Sequence, residues 1–228
     1  MPADRFYVDA DLTGRLSLVG AEHHHLAHVM KVRLGEEIEV VNGRGALAKA
    51  KVLAISKHDA QLEVLSSSQT PLSPPLLTLA IPLMRPVKLE LIIEKCTELG
   101  ADAFWFYPAH FSEKGDLSPH QQERIKLIAI SAMKQCGRLD LPALKTLARF
   151  EDLFTTPANH LFGDTRVKGP FSPPKGPSVF ITGPERGFSE QELELLDKKA
   201  IGVCLHRNIL RAETAPIAAT AYFFGNSL

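Results

Sequence analysis

The sequence predicts a small β-rich domain followed by a larger α/β domain. Up to about residue 65 the apolar segments are short and strand-like, and Asn42-Gly43 is typical of a hairpin turn. After residue 75, strand patterns alternate with helical patterns, which indicates a mostly parallel sheet covered by helices. The polar, proline-rich stretch SSSQTPLSPP, residues 66–75, is predicted to link the two parts. We therefore expect one domain over residues 1–70 and a second over residues 75–228.

The first domain is predicted to be a small barrel of short strands with one helix. The strand candidates are RFYV, RLSLV, EIEVVNGRGALAKAKVLAI and AQLEVL, and the helix lies near AEHHHLAHVMKV. Four histidines, His23, His24, His25 and His28, lie in this helix. Consecutive histidines point in different directions, and no carboxylate or cysteine stands nearby at ligand spacing. We therefore expect no metal site and interpret the helix as a surface of the small domain that faces RNA.

The second domain is predicted from five strands and the helices between them. The strand candidates are LLTLAI, AFWFY, HLFG, SVFIT and GVCL. In LELIIEKCTELG the residues Leu89, Ile92 and Cys96 recur at helical spacing, and Gly100 ends the pattern. In the next helical stretch Ser118 occupies the N-cap position and Pro119 the first turn.

The stretch SVFITGPERGFSEQELELL, residues 178–196, combines a buried strand, a stiff loop and a well-capped helix. Ser189 and Glu192 form a predicted capping box, and Phe188 and Leu193 form a hydrophobic staple. Ligands usually bind at loops that follow the carboxyl ends of strands in α/β sheets. The loop is therefore either a ligand site or no more than a tight connection.

Composition excludes several classes of protein. The 228 residues include 26 basic and 26 acidic side chains, so net charge gives no support for a basic nucleic-acid-binding domain. No apolar run reaches transmembrane length, the N-terminus lacks a signal-peptide pattern, and three widely spaced cysteines fit a reducing compartment, so we expect a cytoplasmic protein. GxGxxG, GxxxxGK[ST] and GxSxG motifs are absent, which weakens dehydrogenase, P-loop and hydrolase interpretations.

Polar residues that are candidates for chemistry concentrate in three places. These are AMKQCGRLDLP, with Gln135 and Arg138, the loop TGPERGFS, and LHRNILRAETAPIAATAYFFG, with Arg211, Glu213 and Thr214. Arg211 and Glu213 stand two residues apart between a predicted strand and helix. They form either a structural ion pair or part of a site.

These motifs resemble, in order, those of the RsmE family, the bacterial 16S rRNA uracil N3-methyltransferases of the SPOUT superfamily. The resemblance covers nearly the whole chain through HHLAHVMKVRLGEEIEVVNGRG, KCTELGAD, KQCGRLDLP, GPERGFS and ILRAETA. It implies a PUA-like barrel domain, then an α/β domain with a deep trefoil knot, and a homodimer. It also implies S-adenosyl-L-methionine as cofactor, and 16S rRNA of the small ribosomal subunit as partner. Four residues depart from the family pattern and are expected to fall near the cofactor pocket: Lys134, Arg186, His206 and Asn208.

The resemblance also implies which residues form the site. Cofactor contacts are expected from Thr182, Gly183, Pro184, Glu185, Gly187, Leu205, Asn208, Ile209, Leu210, Arg211 and Thr214. Arg211, Glu213 and Arg138 are the candidate catalytic residues, with the arginines on a uracil carbonyl or a phosphate and Glu213 either as base or as the group that orients Arg211. Phosphate contacts are expected from Lys31, Arg33, Arg44, Lys49, Lys51, Arg85 and Lys88.

Two other functions remain open from the sequence. One is another SPOUT reaction, such as methylation of a ribose 2′-oxygen or of another rRNA base. The other is a non-catalytic RNA-binding or ribosome assembly protein, which the departures at Arg186 and His206 would favour.

Overall fold

A computed structural model describes residues 5–112 and 115–225, and the chain divides into two compact units. The first unit is Met1–Ser73 with Ile130–Leu141, and the second is Pro74–Ala129 with Pro142–Leu228. The segment Ile130–Leu141, which contains the KQCGR motif, therefore groups with the β-rich unit. The domain boundaries expected from the sequence stay a prediction.

The first unit is built on a five-stranded sheet and one short helix. Its strands are β1 (Arg5–Tyr7), β2 (Arg15–Val19), β3 (Glu37–Val41), β4 (Ala46–Ile55) and β5 (Asp59–Gln69), and helix α1 (Gly20–His24) continues as a π-helical turn, His25–Val29. The strand order is β1-β3-β4-β5-β2, with β1 parallel to β3 and the other pairs antiparallel. Alternate residues such as Leu16 and Leu18 on β2, and Ala48 and Ala50 on β4, fill the core, as a half-buried sheet requires.

The predicted linker begins too early in the sequence. Ser66–Gln69 belong to the end of β5, where they pair in antiparallel register with Ala46–Lys49 of β4. The side chains of this strand end are exposed, so their polarity did not predict a strand. Only Thr70–Pro75 remain outside regular structure.

Three polar contacts tie Ile130–Leu141 to the rest of the first unit. The Nζ of Lys134 lies 2.6 Å from Oε1 of Glu22, and Arg5 donates a hydrogen bond of 2.8 Å to the carbonyl of Gly137. Gly45, with φ of +87°, donates its amide to the carbonyl of Leu139. A Cβ on Gly45 would lie 2.3 Å from the backbone oxygen of Thr70, so this position requires glycine. Lys134, where the family pattern has an acid, is therefore an ion-pair partner within this unit.

The second unit is a parallel sheet with helices. Its strands are β6 (Leu77–Pro82), β7 (Ala103–Tyr107), β8 (Ala143–Thr146), β9 (Asn159–Gly163), β10 (Ser178–Ile181) and β11 (Ile201–Val203). Its helices are α2 (Pro86–Glu98), α3 (Pro119–Cys136, whose last turns fall in the first unit), the 3₁₀ segment Phe150–Phe154, α4 (Glu190–Lys199) and α5 (Thr214–Phe224). The strand order is β11-β9-β10-β6-β7-β8, and every pair is parallel.

Central strands of this sheet are buried on both faces, which explains their continuous apolar runs. All four residues of β10 are buried, as are five of the six residues of β6. The predicted alternation of strands and helices is confirmed. Strand β8 was not predicted, because ALKT is a mostly exposed edge strand that pairs only with β7. Within the described residues no helix is long and apolar enough to span a bilayer.

Candidate functional site

A cavity of about 1160 Å³ lies in the second unit at the carboxyl ends of three neighbouring strands. The ends of β9 and β11 and the loops after β9, β10 and β11 supply most of its lining. Lys88 from the first turn of α2, Leu193 of α4 and Ala215 of α5 complete it. The sheet order places these three strands side by side, so three loops that are distant in sequence meet at one edge. This edge is where α/β sheets bind ligands.

The loop after β10 starts from a rigid strand end. Thr182 is buried, and its amide and hydroxyl both donate hydrogen bonds to the carbonyl of Ala80, at 3.0 and 3.2 Å. Its own carbonyl accepts a hydrogen bond of 2.6 Å from the hydroxyl of Tyr107. Burial raises the pKa of Tyr107 well above its usual value, so this hydroxyl stays a protonated donor.

The rest of that loop is a turn closed by a capped helix. Gly187, with φ of +78°, donates its amide to the carbonyl of Pro184 at 2.8 Å. The predicted capping box is confirmed, because Ser189 Oγ accepts from the amide of Glu192, and the Glu192 carboxylate accepts from the amide of Ser189 at 2.8 Å. The second carboxylate oxygen of Glu192 accepts from the amide of His110 at 2.7 Å. The loop is therefore held on both sides of the turn.

Arg186, the departure inside this loop, does not line the cavity. Its guanidinium group lies 4.6 Å from the centre of the Phe111 ring, a cation–π contact. Arg186 therefore stands between the lining residues Glu185 and Gly187 in the chain, and its side chain is directed to Phe111 and not into the cavity. His206 and Asn208 do line the cavity, and the amide of Asn208 donates to Nδ1 of His206 at 3.1 Å.

The loop after β11 leads into α5 and carries both apolar and charged groups. Leu205 is buried, and its carbonyl accepts a hydrogen bond of 3.1 Å from the hydroxyl of Tyr222. Ile209 is 83% exposed at the cavity, and Arg211 is similarly open to solvent. Ten of the eleven expected cofactor residues line the cavity, and Thr214, the first residue of α5, does not.

Lys88 connects the two loops electrostatically. Its ammonium group hydrogen-bonds to the carboxylate of Glu185 and lies 3.2 Å from Oε2 of Glu213. Glu213 is 13% exposed, and its other oxygen lies 4.0 Å from Nη1 of Arg211. The hydrogen bond to Glu185 raises the pKa of Lys88, and Lys88 in turn lowers the pKa of Glu185. Lys88 is the cation between two cavity carboxylates, and its expected contact with an RNA phosphate stays a prediction.

The loop after β9 was missed as part of the site. Arg166 in this loop bridges Asp164, with Nη2 to Oδ2 at 2.9 Å, and Asp197 on α4, with Nη2 to Oδ1 at 2.6 Å. The hydrogen bonds from Arg166 lower the pKa of Asp164. Polar residues directly after a predicted strand, here DTRVKG after HLFG, were the signal that would have identified this loop.

Arg138 and Arg85, two other expected site residues, do not line the cavity. Arg138 belongs to the first unit, where its side chain hydrogen-bonds to Asp140. Arg85 is the N-cap residue of α2. Glu213 and Arg211 are therefore the expected catalytic residues that the cavity brings together.

The five expected RNA contacts of the barrel are all exposed: Lys31, Arg33, Arg44, Lys49 and Lys51. Lys49 lies opposite Glu39 in the β3–β4 register, and Lys51 opposite Glu37. Arg44 lies 2.7 Å from the carboxylate of Asp9. Arg44, Lys49 and Lys51 therefore each have an acidic neighbour. Across the described residues, no cluster of three or more histidine, cysteine or acidic side chains could hold a metal ion.

Comparisons with known proteins identify relatives of both units. A family described as "RNA methyltransferase domain" matches residues 71–223, and one described as "RNA methyltransferase PUA domain" matches residues 19–65. The ribosomal RNA small subunit methyltransferase E of Synechocystis is 33% identical over 90% of this chain and 71% of the relative. The Bacillus subtilis protein of the same name is 32% identical over 89% of this chain and 87% of its own.

Solved structures show the same fold. The methyltransferase E of Neisseria gonorrhoeae, bound to S-adenosyl methionine, superposes with a TM-score of 0.83 at 28% identity, over 96% of this chain and 95% of that one. A putative methyltransferase from Legionella pneumophila in complex with the bound cofactor SAM superposes with a TM-score of 0.86 at 22% identity, over 98% and 97% of the two chains.

Proposed function

This chain belongs to the ribosomal RNA small subunit methyltransferase E family, and on that premise we propose that it methylates N3 of a uridine in 16S rRNA with S-adenosylmethionine as methyl donor. The observation that carries the proposal is the cavity at the ends of β9, β10 and β11, because it gathers ten of the eleven residues that the family resemblance assigns to the cofactor. All but one of the residues expected to contact the cofactor, drawn from two segments of the sequence, thus line one cavity.

The residues of the cavity fit this cofactor. Small-molecule pockets typically measure about 300–1,000 Å³, so this cavity has room for the cofactor and for a nucleobase beside it. Gly183 and Gly187 leave backbone groups of their loop accessible, and Leu205, Ile209 and Leu210 supply apolar surface. When bound, S-adenosylmethionine supplies an electrophilic sulfonium methyl group. We assign adenosine contacts to the backbone of both loops and apolar contacts to the three aliphatic side chains.

Two charged residues at the cavity are proposed to act on the uracil. N3 of uracil carries a proton at neutral pH, so the reaction needs a base or strong polarisation of the neighbouring carbonyls. Arg211 is exposed and cationic, and we propose that it donates to O2 or O4 and stabilises the charge that develops there. Arg138 is kept as a second candidate for this role or for a phosphate on the resemblance alone.

Glu213 acts either as the base that accepts the N3 proton or as the group that orients Arg211, and its ion pair with Lys88 favours the second role. Its carboxylate lies against both Lys88 and Arg211, which suits a group that orients Arg211. A general base contributes about 10²–10⁴-fold in rate. Glu213→Gln is therefore expected to lower the single-turnover rate at saturating cofactor by less than tenfold if Glu213 orients Arg211. A loss of 100-fold or more would assign the proton to Glu213.

Larger-scale features are proposed from family membership. They are a deep trefoil knot in the second unit, a homodimer, a cytoplasmic location, and phosphate contacts from the barrel. Lys31 and Arg33 are exposed cations on the barrel and are the strongest candidates there, since Arg44, Lys49 and Lys51 have acidic neighbours.

The two alternatives make different predictions for the product. A 2′-O-methyltransferase would modify a ribose, and an assembly protein would transfer nothing. The position of Arg186 on Phe111, outside the cavity lining, removes one of the two observations that favoured a damaged pocket.

The test is methyl transfer from labelled S-adenosylmethionine to small ribosomal subunits from cells that lack the gene, followed by nucleoside mass spectrometry. We expect 3-methyluridine from one site in 16S rRNA. A 2′-O-methylated nucleoside would establish the rival SPOUT reaction. No transfer by folded protein to unmodified subunits would establish the non-catalytic alternative.

A further inference from the structure

The charges around the cavity do not balance. Among the residues that the structure describes, five cationic side chains and three carboxylates line it: Lys88, Arg166, Lys168, Arg207 and Arg211 against Asp164, Glu185 and Glu213. The whole chain has a formal net charge of zero, so this is a local surplus of two positive charges. The cofactor gives no reason for the surplus, because S-adenosylmethionine itself carries a net positive charge.

The surplus resides in two residues. Lys88 is paired with Glu185 and Glu213, and Arg166 with Asp164 and Asp197. Lys168 and Arg207 are exposed, and neither has an ion pair or a hydrogen bond from its side chain within the described part of the chain. Lys168 follows β9 and Arg207 follows β11, so two different loops place one unpaired cation each at the same cavity.

We propose that Lys168 and Arg207 form a phosphate-binding surface that holds the RNA strand on either side of the nucleotide whose base enters the cavity. The proposal rests on the proposed function, since it names the surface by which that site grips its substrate. An unpaired cation gains the full counterion-release free energy on contact with phosphate, whereas a cation already paired must first give up its carboxylate.

Three of the five barrel cations, Arg44, Lys49 and Lys51, differ from this pair because each has an acidic neighbour. Lys51 lies opposite Glu37 on one side and Glu63 on the other, and Arg44 already pairs with Asp9. Lys168 and Arg207 have no such competitor. They also line the same cavity as Arg211, the proposed contact to the uracil. A strand held by both residues would therefore present its base to the reacting groups.

The test is the salt dependence of binding to a fluorescein-labelled single-stranded oligouridylate, measured by anisotropy between about 50 and 200 mM KCl. Lys168→Ala combined with Arg207→Ala is expected to reduce the slope of log K against log salt by about 1.4, since each phosphate contact on a single strand contributes about 0.7. The matched control is Lys175→Ala with Lys198→Ala, which removes the same charge from exposed positions of the same unit outside the cavity. It is expected to leave the slope unchanged.

Three outcomes overturn the proposal. They are an unchanged slope in the Lys168 and Arg207 variant, an equal reduction in both variants, and no salt-dependent binding by the wild-type protein. Methyl transfer by the wild type to small subunits is measured in parallel. If the wild type transfers the methyl group and the slope is unchanged, the surface is wrong and the proposed function stands. If the wild type transfers nothing yet the slope falls selectively, the surface stands and the catalytic assignment fails.

Discussion

Gly202 on β11 sits against Asp164, and we predict that Gly202→Ala destabilises the second unit. A Cβ at position 202 would lie 2.7 Å from Oδ2 of Asp164, 3.1 Å from its Cβ and 3.3 Å from its Cγ. Rotation of the carboxylate relieves only the first of these contacts, because the Cβ of Asp164 is fixed by its backbone. The neighbouring chain must therefore move.

The expected cost follows from how firmly Asp164 is held. Its side chain is only 7% exposed, and Arg166 hydrogen-bonds to it through Nε at 3.0 Å, through Nη2 at 2.9 Å and through its backbone amide at 2.8 Å. Adding a methyl group to a filled site costs about 1–3 kcal/mol. Because Asp164 cannot swing away without losing Arg166, we expect about 2 kcal/mol for Gly202→Ala.

Urea unfolding followed by tryptophan fluorescence measures this cost. Trp105 is the only tryptophan and lies on β7, so its signal reports the second unit. The control is Gly163→Ala on the neighbouring strand β9, where a Cβ would meet only Phe180 at 3.8 Å, an ordinary contact. We expect that control to change the free energy of unfolding by no more than about 0.5 kcal/mol.

A double-mutant cycle assigns the cost to Asp164. In an Asp164→Gly background both the carboxylate and the Cβ of residue 164 are gone, so Gly202→Ala is expected to cost less than about 0.5 kcal/mol. An equal cost of Gly202→Ala in both backgrounds would refute the reasoning, because the strain would then come from elsewhere.

Three further predictions follow from buried or titrating groups. Tyr107→Phe removes the donor to the buried carbonyl of Thr182 and is expected to cost about 1–3 kcal/mol in the same urea assay. The pKa of Asp164 is lowered by its arginine partner, so its contribution is present above the unfolded-state value of about 3.9 and is lost as pH falls through the folded value. Asp164→Asn is therefore expected to cost more stability at pH 7 than at pH 3. Cys204 lines the cavity, so saturating S-adenosylmethionine is expected to slow its alkylation and to leave the exposed Cys136 unaffected, as measured by peptide mass spectrometry.

The predictable elements are those whose own residues show the hydrophobic periodicity, caps or turns of the structure that they form. The capping box at Ser189 and Glu192, the buried strand β10 and the loop between them were readable because periodicity, caps and turns are local. Strand β8 and the end of β5 were missed because their exposed, polar residues become strand only through pairing with a neighbour.

The site was predictable only in part for the same reason. Residues of the GPERGFS and ILRAETA motifs were both assigned to the cofactor site, and residues of both motifs line the same cavity. The place of Lys88 was not predictable, because its partners Glu185 and Glu213 are about a hundred residues away and meet it only when the sheet forms. The loop after β9 was missed although it follows a predicted strand. No single segment of the sequence predicts the order of the strands in the sheet, and that order is what places β9 between β10 and β11.

Hydrogen–deuterium exchange with and without S-adenosylmethionine tests most directly the claim that the three strand-end loops form the cofactor site. It uses the unmodified protein and reports every segment at once. We predict that the cofactor slows exchange in residues 163–169, 182–189 and 203–213, the loops after β9, β10 and β11, and leaves the barrel strands unchanged. Slowed exchange confined to other segments, or no change at a saturating concentration, would contradict the account.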